Sequence, residues 1–184
     1  MTEVFFTADS HFGHKGILRL SSRPFESVEA MEAALIDRWN EVVGPQDLVY
    51  HLGDFCFKGS KAAAAVLERL NGEIVLIRGN HDSANSLRLD RWRSVHDLLE
   101  INHRKQRIAL CHYPLLEWPG AWKGALHLHG HTHGAVPPLN RRADVGVDVW
   151  DYRPVTLEQI LDRLGDAPEY DPNVAYSPPN ERTE

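Results

Sequence analysis

The chain has 184 residues, 42% of them hydrophobic, which is enough for one domain with a substantial core. Its net charge of −6 argues against stable non-specific binding of nucleic acid, because such binding needs a basic face. Two cysteines are too few for a disulfide framework, and no apolar run is long enough to span a membrane. The first apolar run begins almost at Met1 and leaves no room for a signal peptide, so we expect a cytoplasmic protein without a membrane partner.

The first half of the chain alternates predicted strands with predicted helices. Short apolar runs at residues 4–6, 48–50 and 74–77 indicate buried strands. Between them, residues 27–43 have apolar side chains at helical spacing before Gly44-Pro45, and residues 60–70 form an alanine-rich helix. Alternation of this kind is typical of a sheet built from βαβ units.

The second half of the chain favours strands. Residues 98–110 contain two strand-like runs around a polar turn, which predicts a hairpin. Residues 126–128 predict one more strand, residues 143–149 alternate with a strand period, and a capping box begins a helix at residues 156–164. Residues 165–184 are proline-rich and polar, so we expect a flexible or surface-draped tail after a domain at residues 1–164.

Five polar fragments follow five of the predicted strands. They are Asp9-Ser10-His11, Gly53-Asp54, Gly79-Asn80-His81-Asp82, Cys111-His112 and Gly130-His131-Thr132-His133. Ligands of open α/β sheets bind outside the carboxyl ends of the strands, so we expect these fragments to meet on one rim. Together they supply enough carboxylate, amide and imidazole groups to hold two divalent metal ions.

In order and spelling, the five fragments resemble the calcineurin-like metallophosphoesterase family. The family pattern is a D-x-H, a GD, a GNH followed by D or E, a lone His and a G-H-x-H, and the resemblance spans residues 9–148. It implies an α/β fold, namely a four-layer α/β/β/α sandwich of two packed sheets with helices outside. Residues 53–59 lack the added acid and arginine of the G-D-x-x-D-R-G form, which puts a phosphoprotein substrate in doubt.

The resemblance also implies a set of metal ligands. One ion would be held by Asp9, His11 and His133 and the other by Asn80, His112 and His131, with Asp54 bridging the two. These ligand types suit two divalent ions drawn from Mn, Fe, Co, Ni and Zn.

The implied reaction is hydrolysis of a phosphate ester by in-line attack of a metal-bridging hydroxide. By family analogy, His81 does not bind metal but contacts the phosphate or protonates the leaving oxygen, and Asp82 orients the ring of His81. The favoured substrate is a phosphodiester of nucleotide type, and a small phosphomonoester is the alternative. A rival hypothesis is a partner-binding scaffold of the same fold that has lost catalysis, although all seven ligands and His81 are present here.

Three side chains outside the metal ligands are candidate substrate contacts. Trp118 and Trp122 lie in a loop between the fourth and fifth fragments, where they either stack on a nucleobase or clasp the loop. Arg78 precedes Asn80 and is a candidate partner for a carboxylate or for the substrate.

Four more histidines allow two interpretations each. His14 and His51 either orient metal ligands or are ordinary polar residues. His127 and His129 alternate with leucines on a predicted strand, which favours packing over metal ligation.

Overall fold

A computed structural model describes residues 2–139 and 141–165 of the chain. Apart from Gly165, the predicted tail at residues 165–184 lies outside the described residues. No helix within the described ranges combines the length and the apolar character needed to cross a membrane.

The described residues form nine strands and four α-helices. In chain order these are β1 (Val4–Thr7), α1 (Ile17–Leu20), α2 (Val28–Val42), β2 (Leu48–His51), α3 (Ser60–Leu67), β3 (Glu73–Ile77), β4 (Trp92–His96), β5 (Leu98–His103), β6 (Gln106–Cys111), β7 (Leu126–His129), β8 (Arg142–Asp144), β9 (Val155–Thr156) and α4 (Leu157–Leu164).

Two sheets result from this order of elements. The first sheet runs β4-β3-β2-β1-β9, with parallel pairing from β4 to β1 and antiparallel pairing of β9 to β1. The second sheet runs β5-β6-β7-β8, in which only the β5–β6 hairpin is antiparallel. The carboxyl ends of β1, β2 and β3 therefore share one rim of the first sheet, and those of β6 and β7 share one rim of the second.

The alternation of side chains along each strand produces two hydrophobic cores. On β1, Phe5 packs with Met31 and Leu35 of α2, whereas Phe6 points between the two sheets and joins Leu110 and Leu128. Each buried side chain of this size contributes about 1.5–3 kcal/mol of transfer free energy. The predicted α/β fold of two packed sheets is confirmed, with α2 and α3 on the outer face of the first sheet.

The outer face of the second sheet is covered by a thin layer. Residues 113–125 lie over it and contain a 3-10 turn at Ala121–Lys123. Trp118 is 3% exposed, donates its indole N–H to the Ala125 carbonyl oxygen at 2.9 Å and packs against the ring of His127. Residues 113–125 thus form an irregular loop, called the clasp below, which the buried Trp118 side chain anchors to the sheet.

Two predicted helices start where the capping signals place them. The Ser27 hydroxyl accepts a hydrogen bond from the backbone N–H of Ala30. Thr156 and Gln159 form the predicted capping box at the start of α4. The alanine-rich helix α3 ends at Leu67, three residues before the predicted end, because residues 68–70 continue as turns.

The strand predicted at residues 143–149 is wrong beyond Asp144. The chain leaves β8 there and forms a 3-10 turn at Val147–Val149. Two contacts redirect it, because Gly146 N–H bonds to the Asp144 carboxylate at 2.7 Å and Val147 N–H bonds to the Ala8 carbonyl oxygen at 3.0 Å. Val145 and Val147 are buried because the segment crosses between the sheets, which gives a β-like burial pattern without a strand.

His127 supports the predicted packing role. Its ring is buried, its Nδ1 donates to the Ala109 carbonyl oxygen at 3.1 Å, and its Nε2 accepts from Leu115 N–H at 3.0 Å. Burial lowers the pKa of His127 to about 4. The folded protein therefore holds this ring neutral.

We expect the metal-free protein to lose stability as the pH falls from about 6.5 to about 4. Because the pKa of His127 is lower in the folded state, protons bind the unfolded chain first as the pH falls. The stabilisation that is present above pH 6.5 is therefore lost between pH 6.5 and about 4. Each such histidine contributes a slope of about 1.4 kcal/mol per pH unit. Urea unfolding of wild type and His127→Gln in EDTA at several pH values measures this, and the variant should show the shallower slope. Equal slopes would contradict the assignment.

Candidate metal centre

The five fragments meet at the rim that the strand ends define. Each begins directly after, or within two residues of, the last residue of β1, β2, β3, β6 or β7. Backbone hydrogen bonds join neighbouring fragments, from Asp9 N–H to the Gly53 carbonyl oxygen at 3.0 Å and from Gly130 N–H to the His112 carbonyl oxygen at 3.0 Å. The first three fragments come from one sheet and the last two from the other, so the site lies where the two sheets meet.

Two groups of side chains at this rim are arranged to hold metal ions. Within each group, one potential ligand atom per residue lies within 4.8 Å of the others. The first group is Asp9, His11 and His133, and the second is Asp54, His112 and His131. Asn80 joins the second group, because its Oδ1 lies 3.1 Å from His112 Nε2. All seven predicted ligands are brought together.

Asp54 lies between the two groups. Its Oδ2 is 3.4 Å from His11 Nε2 on one side and 3.6 Å from His112 Nε2 on the other. Its Oδ1 accepts a hydrogen bond from His81 N–H at 2.8 Å, which fixes the carboxylate plane. One oxygen of Asp54 thus faces both sets of ligands.

Hydrogen bonds on the far side of two histidine rings fix their orientation. His112 Nδ1 donates to the Leu52 carbonyl oxygen at 2.7 Å, and His133 Nδ1 donates to the Asp148 carboxylate at 2.7 Å. Because these acceptors carry no proton, Nδ1 is the protonated nitrogen in both rings. The lone pair of each Nε2 is then available for a cation.

Two buried atoms at the first group fit a bound cation. Asp9 Oδ1 and His11 Nε2 are buried and have no hydrogen-bond partner among the described residues. Burial, followed by the nearby Asp144 and Asp54 carboxylates, raises the pKa of Asp9 well above its ordinary value. Burial also lowers the pKa of His11. A divalent cation would satisfy both atoms and offset the repulsion between the carboxylates.

The backbone of the site is strained. Five of the seven ligands adopt the left-handed conformation, with φ values of 57° at Asp9, 50° at His11, 56° at Asp54, 71° at His131 and 48° at His133. Non-glycine residues adopt it rarely, at a cost of order 1–3 kcal/mol each. The surrounding structure must hold these residues in place.

Glycines make room beside the strained ligands. A Cβ at Gly79 would lie 2.3 Å from the backbone nitrogen and Oδ1 of Asp54, and one at Gly130 would lie 2.7 Å from Asp9 Oδ2. Both contacts are too short for any other residue. The two glycines therefore allow neighbouring loops to close over the carboxylates.

Asp82 does not orient His81 as predicted. Its carboxylate accepts hydrogen bonds from three backbone N–H groups, those of Gly79 at 2.8 Å, Asp54 at 2.9 Å and Phe55 at 2.9 Å. These bonds tie the second fragment to the third. Both carboxylate oxygens of Asp82 are directed at loop backbone and not at the ring of His81. Asp82 therefore positions the loops that carry Asp54 and Asn80.

His81 lies at the open side of the site. Its side chain is 40% exposed, and its Nε2 is 4.0 Å from Asp54 Oδ2. His14 lies next to it, with Nδ1 3.2 Å from His11 Nδ1 and its ring stacked on Phe57 at a centroid distance of 4.0 Å. The second predicted orienting histidine, His51, is buried and bonded to the Ser10 hydroxyl at 2.8 Å. His14 thus contacts a ligand directly, whereas His51 contacts the residue between two ligands.

The three candidate substrate contacts fall in different places. Trp118 is buried in the clasp over the second sheet, so its ring has no open face for stacking. Trp122 is 59% exposed and donates to the Glu117 carboxylate at 3.0 Å. Arg78 pairs with Asp97 at 2.9 Å and lines a cleft of about 380 Å³ together with Asn80.

Three residues of the site have no signal in the sequence pattern. Asp148 orients His133, Arg23 binds Asp148, and Asp144 accepts hydrogen bonds from the Thr132 hydroxyl at 2.8 Å and Gly134 N–H at 2.9 Å. Burial acts to raise the pKa of Asp148, but hydrogen bonds from His133 and Arg23 hold it below its ordinary value. The burial pattern around Asp144 and Asp148 imitates a strand, and Arg23 lies far from every fragment.

An open pocket of about 370 Å³ lies above the two groups of ligands. Its polar floor contains His11, Asp54 and His131, and its apolar side contains Ile17 and Leu20. The Leu20 side chain is 68% exposed. The space accepts a group larger than phosphate alone.

A family model matches most of the domain. The model for the calcineurin-like phosphoesterase superfamily domain matches residues 3–147, which include all five fragments.

Relatives of similar length support this match. The uncharacterized protein MJ1445 of Methanocaldococcus jannaschii is 36% identical over 170 residues, which cover 88% of this chain and 90% of that protein. The gene 66 protein of Mycobacterium phage L5 is 27% identical over 196 residues and 94% of its length. The crystal structure of the Aquifex aeolicus protein AQ665, described as of unknown function, has a TM-score of 0.69 at 24% identity, covering 89% of this chain and all of that one. That structure supports the fold alone.

We expect Mn²⁺ to raise the free energy of unfolding, because it binds the folded site and leaves the unfolded chain unligated. A concentration one hundred times the dissociation constant should add about 2.7 kcal/mol per site. Urea unfolding with Mn²⁺ or with EDTA measures the gain. Asp54→Ala should lose most of it, whereas Asp97→Ala, which removes an exposed carboxylate paired with Arg78, should keep it. Equal gains in both variants would exclude the site.

Proposed function

Since the chain belongs to the calcineurin-like phosphoesterase superfamily, we propose that it hydrolyses phosphate esters with the help of two divalent metal ions. The observation that carries this proposal is the position of Asp54. One of its carboxylate oxygens lies within 3.4–3.6 Å of a histidine from each group of ligands. A shared carboxylate of this kind supports two ions close together instead of two independent sites.

Two bound divalent ions would supply an activated water molecule and would screen the negative oxygens of the phosphate. The chain supplies the rest of the chemistry. Asp9 and Asp54 would offset part of the charge of the ions and the imidazoles would supply further ligands, in a partly buried setting where electrostatic interactions are stronger than in water. No side chain at this rim is needed as a covalent nucleophile.

His81 is the proposed catalytic residue. Its backbone N–H is anchored on Asp54, while its ring remains 40% exposed at the pocket. The ring thus has a fixed base and an open edge, which suits contact with a phosphate oxygen or donation of a proton to the leaving oxygen.

The favoured substrate is a phosphodiester of nucleotide type, and a small phosphomonoester is the second candidate. Phe57 supports this order. Its ring is 49% exposed, one face stacks on His14, and its centroid lies 5.4 Å from that of His81. An aromatic face beside the catalytic histidine suits a base or another flat group, and Phe57 offers this better than the buried Trp118.

A panel of phosphoesters tests the reaction. With Mn²⁺ added, we expect the protein to hydrolyse bis-p-nitrophenyl phosphate faster than p-nitrophenyl phosphate. His81→Ala should lower kcat by about 10²–10⁴-fold while the metal content stays near that of wild type, because His81 acts on the substrate. His96→Ala, which changes a partly exposed histidine bonded to Ser94, is the matched control and should retain activity.

Two results would contradict this proposal. If no ester is hydrolysed while the metal ions are bound stoichiometrically, the non-catalytic scaffold is the better description. If His81→Ala loses both metal ions, His81 is a ligand. Hydrolysis of monoesters alone would reverse the order of substrates.

Phe57→Ala should selectively impair esters that carry a second aromatic group. Loss of one stacking contact, about 1–3 kcal/mol, corresponds to a fall of about 5- to 150-fold in kcat/KM. The comparison is bis-p-nitrophenyl phosphate against methyl p-nitrophenyl phosphate, which share the leaving group. Phe57→Tyr should retain the preference. If Trp122→Ala abolishes the preference and Phe57→Ala does not, the stacking surface is on the 113–125 loop.

A further inference from the structure

The guanidinium of Arg23 is buried close to the first group of ligands. Arg23 lies between α1 and α2, outside the five fragments, and its side chain is 0% exposed. A buried arginine is costly unless its hydrogen bonds are satisfied and its charge is paired.

Every N–H group of this guanidinium has an acceptor. Nε and Nη2 each donate to one carboxylate oxygen of Asp148 at 2.8 Å. Nη2 also donates to the Asp9 carbonyl oxygen at 2.6 Å, and Nη1 donates to the Ser10 carbonyl oxygen at 3.0 Å and faces the Met31 sulfur at 3.4 Å. These five contacts match the five N–H donors of arginine, so the side chain has one orientation.

The contacts of Arg23 lead to two ligands of the same group. On one side it holds the backbone of Asp9, and on the other it holds Asp148, whose Oδ2 accepts from His133 Nδ1 at 2.7 Å. Both ligands have strained backbones, with φ values of 57° at Asp9 and 48° at His133. Arg23 thus contacts the backbone of one strained ligand and the orienting partner of the other.

The second group has a different support. Asp82 binds the backbone N–H groups of Asp54 and Gly79, and the Leu52 carbonyl oxygen orients His112. The contacts of Arg23 and Asp148 reach Asp9, Ser10 and His133, whereas those of Asp82 reach Asp54, Phe55 and Gly79. The two halves of the site are therefore held by separate buried charges.

We propose that Arg23 and Asp148 are positioning residues that set the affinity of the Asp9–His11–His133 group for a divalent cation, independently of the Asp54–Asn80–His112–His131 group. This inference deepens the proposed function and rests on it. Lysine at position 23 cannot replace the arginine, because an ammonium group cannot bind both oxygens of Asp148 and two backbone carbonyls at once.

A calorimetric titration of the metal-free full chain with Mn²⁺ tests the inference. Wild type should bind two ions. Asp148→Ala should weaken one binding step by about 10–100-fold and leave the other within about threefold, the usual effect of losing the partner of a histidine ligand. Arg23→Lys should weaken the same step, whereas Asp82→Ala, which removes the support of the shared Asp54, should weaken both. Asp151→Ala, an exposed aspartate three positions from Asp148, is the matched control and should match wild type.

Anomalous diffraction from crystals grown at a limiting Mn²⁺ concentration assigns the weakened step. In Asp148→Ala the peak between Asp9 and His133 should fade while the peak beside His112 remains, a selectivity that general destabilisation would not produce. Circular dichroism in EDTA shows whether each variant is folded. If Asp148→Ala is unfolded, the same comparison is made with Arg23→Lys.

The outcomes separate this inference from the proposed function. The inference is wrong, and the proposed function stands, if wild type binds two ions and Asp148→Ala and Arg23→Lys bind them as tightly as wild type. The same holds if these two variants weaken both binding steps equally. If wild type binds no Mn²⁺ at all, both are overturned.

Discussion

The structure depends on one electrostatic constraint, which is that the carboxylates of Asp9 and Asp54 are buried near each other with imidazoles around them. Burial, followed by the nearby Asp144 and Asp54 carboxylates, raises the pKa of Asp9, so without a cation the arrangement stores unfavourable free energy. The divalent cations proposed for this site would relieve this cost. The fold supplies what the ions need, because strands from two sheets bring acids, amide and imidazoles to a common rim.

That rim is made rigid by groups that never face the pocket. The carboxylate of Asp82 accepts from three backbone N–H groups, and the guanidinium of Arg23 donates to two backbone carbonyls. Loops that end strands are normally the mobile part of an α/β protein, and here buried charges bind their main chain directly. The ligands can therefore remain in left-handed conformations that an unsupported loop would leave.

Apolar runs and caps predicted most of the strands and the main helices, but gave no signal for β4 or β9. The family resemblance pointed to seven candidate ligands, and the structure brings these side chains together because they follow strand ends that share a rim. Prediction from the sequence failed where a long-range contact determined the structure. Residues 145–149 imitate a strand because they cross between the sheets, and Asp82 binds loop backbone instead of the ring of the preceding residue, His81. Arg23 and Asp148 are 125 positions apart, and no local pattern links them.

The origin of the ligands has a consequence for how the protein matures. Asp9 stands near the start of the domain and His133 near its end, and the two come from different sheets. Contacts between residues so far apart in the chain form after the local hairpins and βαβ units, because closing the long loop costs entropy first. Binding of the proposed ions would therefore follow the packing of the two sheets. The proposed ions would then join side chains from two sheets that are already packed together, and a newly synthesised chain would be folded before it bound metal.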